Sequence, residues 1–216
     1  MATIVLFGAT GTIGTRILDE ALARGHRVIA VVRDPARLDR THDALTVTTG
    51  DVLDPGSVTA AAKGADVVVS AVGGGDAAAT QAVVEPAVRA LVEGLRALGA
   101  DAPRLISVGG AGSLQTASGA RVWDAPGLPD WLLTIMHAHG DALEYLRTVT
   151  DVRWTSFSPA GTIEPGERTG RYRTDTERLV VDGGGTSYIS AEDYAVALVD
   201  EIERPRHVGG RFTAAR

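Results

Sequence analysis

Gly8-Ala9-Thr10-Gly11-Thr12-Ile13-Gly14 is the stretch on which the fold turns. It follows the run Thr3 to Phe7 and opens a segment in which Ile13, Ile17, Leu18, Ala21 and Leu22 recur at helical spacing. Strand, glycine turn and helix together are the setting in which such a pattern binds a dinucleotide. Gly8 permits the tight turn off the strand, Gly11 lets the backbone approach a pyrophosphate, and Gly14 lets the helix pack close to the strand. The N–H groups of Thr12, Ile13 and Gly14 then face the anion at the positive end of the helix. A glycine turn without a ligand is the competing reading. The flanking elements favour the binding loop, with Thr10 inside it.

Downstream the pattern repeats. Arg27 to Val32, Leu45 to Thr49, Ala65 to Val72, Pro103 to Val108 and Val152 to Phe157 read as further strands. Helices are expected from Pro55 through Ala62, over about Ala77 to Leu98, over Trp131 to Thr148 and over Ala191 to Glu203. Pro86 is expected to kink the long helix or mark its first turn, and Ser190 to cap the last one. The strands are continuous apolar runs, the mark of a parallel sheet covered on both faces. Right-handed crossovers then give an α/β, doubly wound, Rossmann-like fold with ligands at the carboxyl ends of the strands. Residues 161–186 read as loops with a short hairpin around Arg171–Arg173 and Leu179–Val181. The expectation is one domain, 1–216, with a dinucleotide-binding part over 1–157. Residues 158–216 form a small C-terminal lobe on the substrate side.

Composition sets limits. The 216 residues are 44% hydrophobic, enough for a full core. A net charge of −6 argues against nucleic-acid binding, which wants a basic face. Without cysteine there is no disulfide, thiol nucleophile or thiolate metal site. No apolar run approaches a membrane span, and a strand beginning by residue 3 leaves no room for a signal peptide. The expected location is the cytoplasm. His137 and His139 lack partners at metal-ligand spacing, so no metal is expected.

In this fold the residue ending the second strand reads the adenosine ribose: an acid suits NAD, an arginine the 2′-phosphate of NADP. Arg33 lies about 20 residues past the glycines, and Arg37 is placed to join it. An arginine fork matches phosphate with two charge-assisted hydrogen bonds, so NADP(H) is favoured over NAD(H), with Asp34 keeping NAD in play. Asp51 either accepts from the adenine amino group or caps its own turn.

Gly8 to Gly14, Gly50-Asp51-Val52 and Val69-Ser70-Ala71-Val72-Gly73 resemble the atypical short-chain dehydrogenase/reductase superfamily. Three later stretches narrow the resemblance: Arg104 to Leu114 with its Gly109-Gly110-Ala111-Gly112-Ser113, Ser158-Pro159-Ala160 with Glu164 to Arg173, and Ile189 to Leu198. Over nearly the whole chain the sequence resembles the NADH-flavin reductase-like family of NAD(P)H-binding proteins, similar in turn to biliverdin reductase B. The resemblance implies that Val52, Ala71, Val72, Gly73, Ser107 and Pro159 line the cofactor cleft. It also implies flavin as a substrate. Typical superfamily members protonate a carbonyl with Tyr-x-x-x-Lys. Here the single lysine is Lys63, with Thr59 four residues before it, and the matching spacing on the expected helix falls on His137 and Asp141. Flavin accepts a hydride with less help, the protein supplying binding and orientation.

Ser107, at the superfamily's active-site serine position, is a catalytic candidate, or else a strand-end hydroxyl satisfied by backbone. His137 is the second candidate, as a proton donor, unless it is a surface histidine. Trp123 and Trp131 either stack on a planar substrate or pack. The leading reading is an NADPH-dependent reductase of flavins or other planar small-molecule acceptors. The alternative is a non-catalytic, redox-sensing NADP-binding regulator. An epimerase-like activity is disfavoured by the missing Tyr–Lys pair.

Overall fold

The computed structural model describes residues 1–216. Strand β1 (Thr3–Phe7) leads through the glycine turn into α1 (Thr12–Ala23), and β2 (Arg27–Val32) follows. Then come β3 (Leu45–Thr49), α2 (Pro55–Ala62), β4 (Val67–Ser70), α3 (Ala77–Arg96), β5 (Arg104–Val108), α4 (Asp130–Thr148) and β6 (Trp154–Ser158). The last stretch holds β7 (Thr162–Glu164), β8 (Arg173–Asp175), β9 (Tyr188–Ser190), α5 (Ala191–Glu203) and β10 (Gly210–Ala215). The main sheet has the order β3-β2-β1-β4-β5-β6-β10-β8, parallel except for the β10–β8 pair. This is the doubly wound α/β sheet, extended at one edge.

Alternation along each strand feeds two apolar layers. Ile4, Leu6, Val69 and Ile106 meet Ile17 and Leu18 of α1 and Leu198 of α5. Val5, Phe7, Val68 and Leu105 meet Leu91 of α3 and Leu143 of α4. With both faces covered, neither set of positions tolerates polarity, and the strands read as continuous apolar runs. On the α1/α5 side the layer ends in a stack of rings: Tyr194 on Phe157 at 3.9 Å, Phe157 on Phe212 at 4.0 Å and Phe212 on His207 at 4.4 Å.

Several boundaries and pairings differ from expectation. Pro86 lies inside α3, not at its first turn. The hairpin of Arg171–Arg173 with Leu179–Val181 does not form. Arg173–Asp175 pairs antiparallel with β10, and the Leu179 amide donates to Gln115 O at 2.8 Å. The partner strand lies at the end of the chain, where the sequence had shown no strand, so the local segment was the only partner in view. The C-terminal region divides. β10 and α5 belong to the main layers, with α5 packed on α1, while β7 and β9 form a separate two-stranded sheet.

Candidate functional site

The glycine turn is held by contacts that no side chain could share. Gly8 has φ +86°, and a Cβ there would sit 2.4 Å from Ala71 O. A Cβ on Gly14 would sit 1.9 Å from Gly8 O, so the first turn of α1 touches the end of β1 through bare backbone. The Gly11 amide donates to Gly8 O at 3.0 Å. Thr15, not singled out in the sequence, hydrogen-bonds through its hydroxyl to Ala9 O at 3.1 Å and Gly11 O at 2.9 Å. Gly11 is the N-cap, and no side chain caps the helix and no acid lies in its first turn. The amides of Thr12, Ile13 and Gly14 have no acceptor within the chain. A dinucleotide pyrophosphate fits this donor set: three free amides at the positive end of a twelve-residue helix.

Arg33 and Arg37 are exposed at the carboxyl end of β2, and neither is in an ion pair. Asp34 is occupied, its carboxylate accepting from the Ala36 amide at 3.1 Å at the start of the 3-10 turn Pro35–Arg37. The carboxylate that favoured NAD thus has a structural task, and the two arginines do not. Asp51 caps its own turn, accepting from the Leu53 amide at 3.0 Å. Val52 is buried in the layer beneath α2 and α3. The Ala71 amide donates to Phe7 O at 2.9 Å, Val72 packs against the same layer, and Gly73 faces open space. Pro159 O accepts from the Thr213 hydroxyl at 3.2 Å, fixing the turn after β6.

Ser107 stands in a row that crosses the sheet: Phe7, Ser70, Ser107, Ser156 and Arg211 are register partners on β1, β4, β5, β6 and β10. The row lies at the carboxyl ends of β1, β4 and β5 and runs through the middle of β6 to the start of β10, and the Gly109–Ser113 loop closes over its β5–β6 part. Gly109 approaches Ser156, Gly110 packs on the His139 side chain, and Ser113 accepts from Arg211 at 2.7 Å. Arg211 also pairs with Glu177, which in turn holds Arg147 of α4 at 3.0 Å. Arg211 escaped the sequence reading because β10 did.

The two histidines of α4 diverge. His137 is exposed, its ring 4.7 Å from that of Trp123. His139 meets the Gly110 turn. Its Nδ1 is enclosed without a partner, and burial lowers its pKa to about 4. The histidine beside the carboxyl-end loop is therefore His139, and it is neutral at pH 7. Trp123 fits against Gly112 and Gly140, positions where a Cβ would collide with its ring. Trp131 is exposed at the start of α4. Lys63 follows α2. No three His, Cys, Asp or Glu side chains are grouped as metal ligands.

The Glu164-to-Arg173 stretch is bound to α1 and α5. The Gly166 amide donates to Glu192 at 2.7 Å, and Arg168 bonds Glu20 at 2.7 Å. Asp193 accepts the amides of Thr169 at 2.8 Å and Gly170 at 2.7 Å, together with the Thr169 hydroxyl. The Tyr172 hydroxyl bonds Asp200. Arg168 and Arg24 hold the Glu20 carboxyl below its usual range against the opposing effect of burial. The segment 164–173 is thus a strap along two helices.

Comparison with known proteins agrees with this geometry. Residues 8–205 match the model of a family described as NAD(P)H-binding. A crystal structure of a candidate exported protein from Burkholderia pseudomallei is 46% identical, with TM-score 0.88 and 100% of both chains covered. A candidate epimerase from Bacteroides thetaiotaomicron is 38% identical over 99% of this chain and 96% of its own, with TM-score 0.88. A candidate NADH-flavin reductase from Streptococcus pneumoniae is 30% identical over 100% of both chains, with TM-score 0.86. No helix here is long and apolar enough to cross a membrane.

Proposed function

From the premise that the chain belongs to the NAD(P)H-binding family, we propose that it is a reductase that uses NADPH in preference to NADH and reduces a flavin or another planar acceptor. The observation that carries the cofactor half is the Gly8–Gly14 backbone contact, which leaves the Thr12, Ile13 and Gly14 amides free. When bound, the reduced nicotinamide supplies the hydride. The chain's own residues bind and orient. The α1 amides take the pyrophosphate, and Arg33 and Arg37 take the 2′-phosphate. Ser107 offers its hydroxyl to the acceptor or to the nicotinamide amide at the carboxyl ends of β4 and β5. His139, neutral at pH 7, presents no imidazolium to donate, which suits an acceptor that needs stacking distance more than acid catalysis.

Flavin is then a substrate that comes and goes, so the purified protein is colourless. The test is steady-state loss of NADPH absorbance with FMN, FAD, quinones and tetrapyrroles. Tyr145 lies under the Arg89 guanidinium at 4.1 Å, between α3 and α4, so Tyr145→Phe leaves the rate unchanged and Ser107→Ala lowers it. Tight NADPH binding with no oxidation above background by any acceptor replaces this reading with the redox-sensing regulator.

A further inference from the structure

A groove of about 720 Å³ opens between α5, the strap and the start of β10. It lies towards the amino end of β10, while the glycine turn is at the carboxyl ends of the strands. Its lining carries Arg171, Arg173, Arg204, Arg206 and His207 against Asp200 and Glu201. The acids are already satisfied. Asp200 accepts from Arg24 at 2.6 Å, and Glu201 accepts from Arg104 at 2.8 Å and pairs with His207 Nδ1 at 2.8 Å. Arg173 is committed too, donating to Val181 O at 2.9 Å and Arg216 O at 3.0 Å.

Of the other three arginines, two are in no ion pair and the third holds only a long one. The guanidinium groups of Arg171 and Arg206 are in no ion pair, and Arg204 reaches Asp200 only at 3.6 Å. Three such cations share one groove on a chain of net charge −6. The backbone that carries them is fixed from below. Gly170, at φ +69°, is anchored to Asp193, and the Arg171 amide donates to the Thr169 hydroxyl at 3.2 Å. The Arg206 amide donates to both oxygens of Glu201, at 3.1 and 3.2 Å. Asp193 and Glu201 are 1% and 3% exposed. Buried carboxylates thus fix the backbone that carries two of the cations, and that part of the ordering cost of binding is met before a ligand arrives.

We propose that this groove is an anion site separate from the cofactor turn. It takes a small soluble ligand with two or more adjacent negative charges, a polyphosphate or phosphate ester of metabolite size. Guanidinium forks match phosphate oxygens bidentately, and the volume is that of an ordinary small-molecule site.

The test is a calorimetric titration of the NADPH-saturated protein with tripolyphosphate. One saturable site per chain is expected, weakening as salt rises. The triple variant Arg171→Ala, Arg204→Ala, Arg206→Ala should bind the probe at least about tenfold more weakly, with NADPH affinity and Tm unchanged. A titration without saturable heat overturns the proposal. So does an unchanged affinity in the triple variant, or displacement of the probe by NADPH. The same pair of proteins compared without nucleotide reads the groove independently of cofactor binding.

Discussion

Helices α1 and α5 pack against each other, and their N-termini are built in opposite ways. α5 is closed from within. Ser190 accepts from the Asp193 amide at 3.0 Å, and Glu192 and Asp193 add negative charge to the first turn. Asp193 is then clasped by the strap through two amides and a hydroxyl. α1 has a glycine cap, no acid in its first turn and three amides without acceptors. Both ends carry the same helix dipole. A helix start that the chain neutralises itself is architecture; one left open at the carboxyl end of a parallel sheet is a place for someone else's negative charge.

Breaking the closed end should have the largest effect. Asp193→Ala removes a buried acceptor and leaves the Thr169 and Gly170 donors unpaired. Because a hydrogen bond to a charged group contributes about 1.5–3 kcal/mol and three are lost, the expected loss is about 3 kcal/mol or more. Denaturant unfolding should show that loss with NADPH affinity nearly intact in the folded fraction, while a variant of wild-type stability would mean the strap is not fixed through Asp193. At the open end, Arg33→Ala should weaken NADPH by about 1.5–3 kcal/mol and NADH hardly at all, because one charge-assisted contact to the 2′-phosphate is lost. Equal losses for the two nucleotides would show that Arg33 does not read the phosphate. The smallest change is Ser190→Ala, about 1 kcal/mol of stability for a lost cap. Its Tm should fall by a few degrees, and its nucleotide affinity should hold.

What the sequence made legible follows the same divide. The open end is local: strand, glycines and helix are contiguous, and Gly8, Gly11 and Gly14 carry their geometry in their identity. The central strands were equally plain, because burial on both faces writes a continuous apolar run. The closed end depends on pairs far apart in the chain. Asp193 meets Thr169, and Glu20 meets Arg168, across separations that no periodicity marks. Strand β10, Gly-Arg-Phe-Thr-Ala-Ala, mixes a buried arginine and threonine with apolar residues, so it lacked the signature of the other strands. With it went Arg211, the true partner of β8 and the far edge of the sheet. His139 could not be ranked over His137 because two residues on a helix point in different directions, and only the Gly110 turn shows which one the carboxyl-end loop meets.

Gly11→Asp would close the open start of α1 as the start of α5 is closed. Gly11 has extended φ −84° and ψ 168°, the conformation of a side-chain cap, and a Cβ there meets only Gly8 O, at 3.4 Å. An aspartate therefore fits and can cap α1 as Ser190 caps α5, raising stability by up to about 1 kcal/mol. Its carboxylate would take the amides and repel the pyrophosphate. An unchanged or higher Tm is expected, together with NADPH binding weakened by at least about a hundredfold. A folded Gly11→Asp protein that binds NADPH as tightly as the original would show that the α1 amides are not where the pyrophosphate sits.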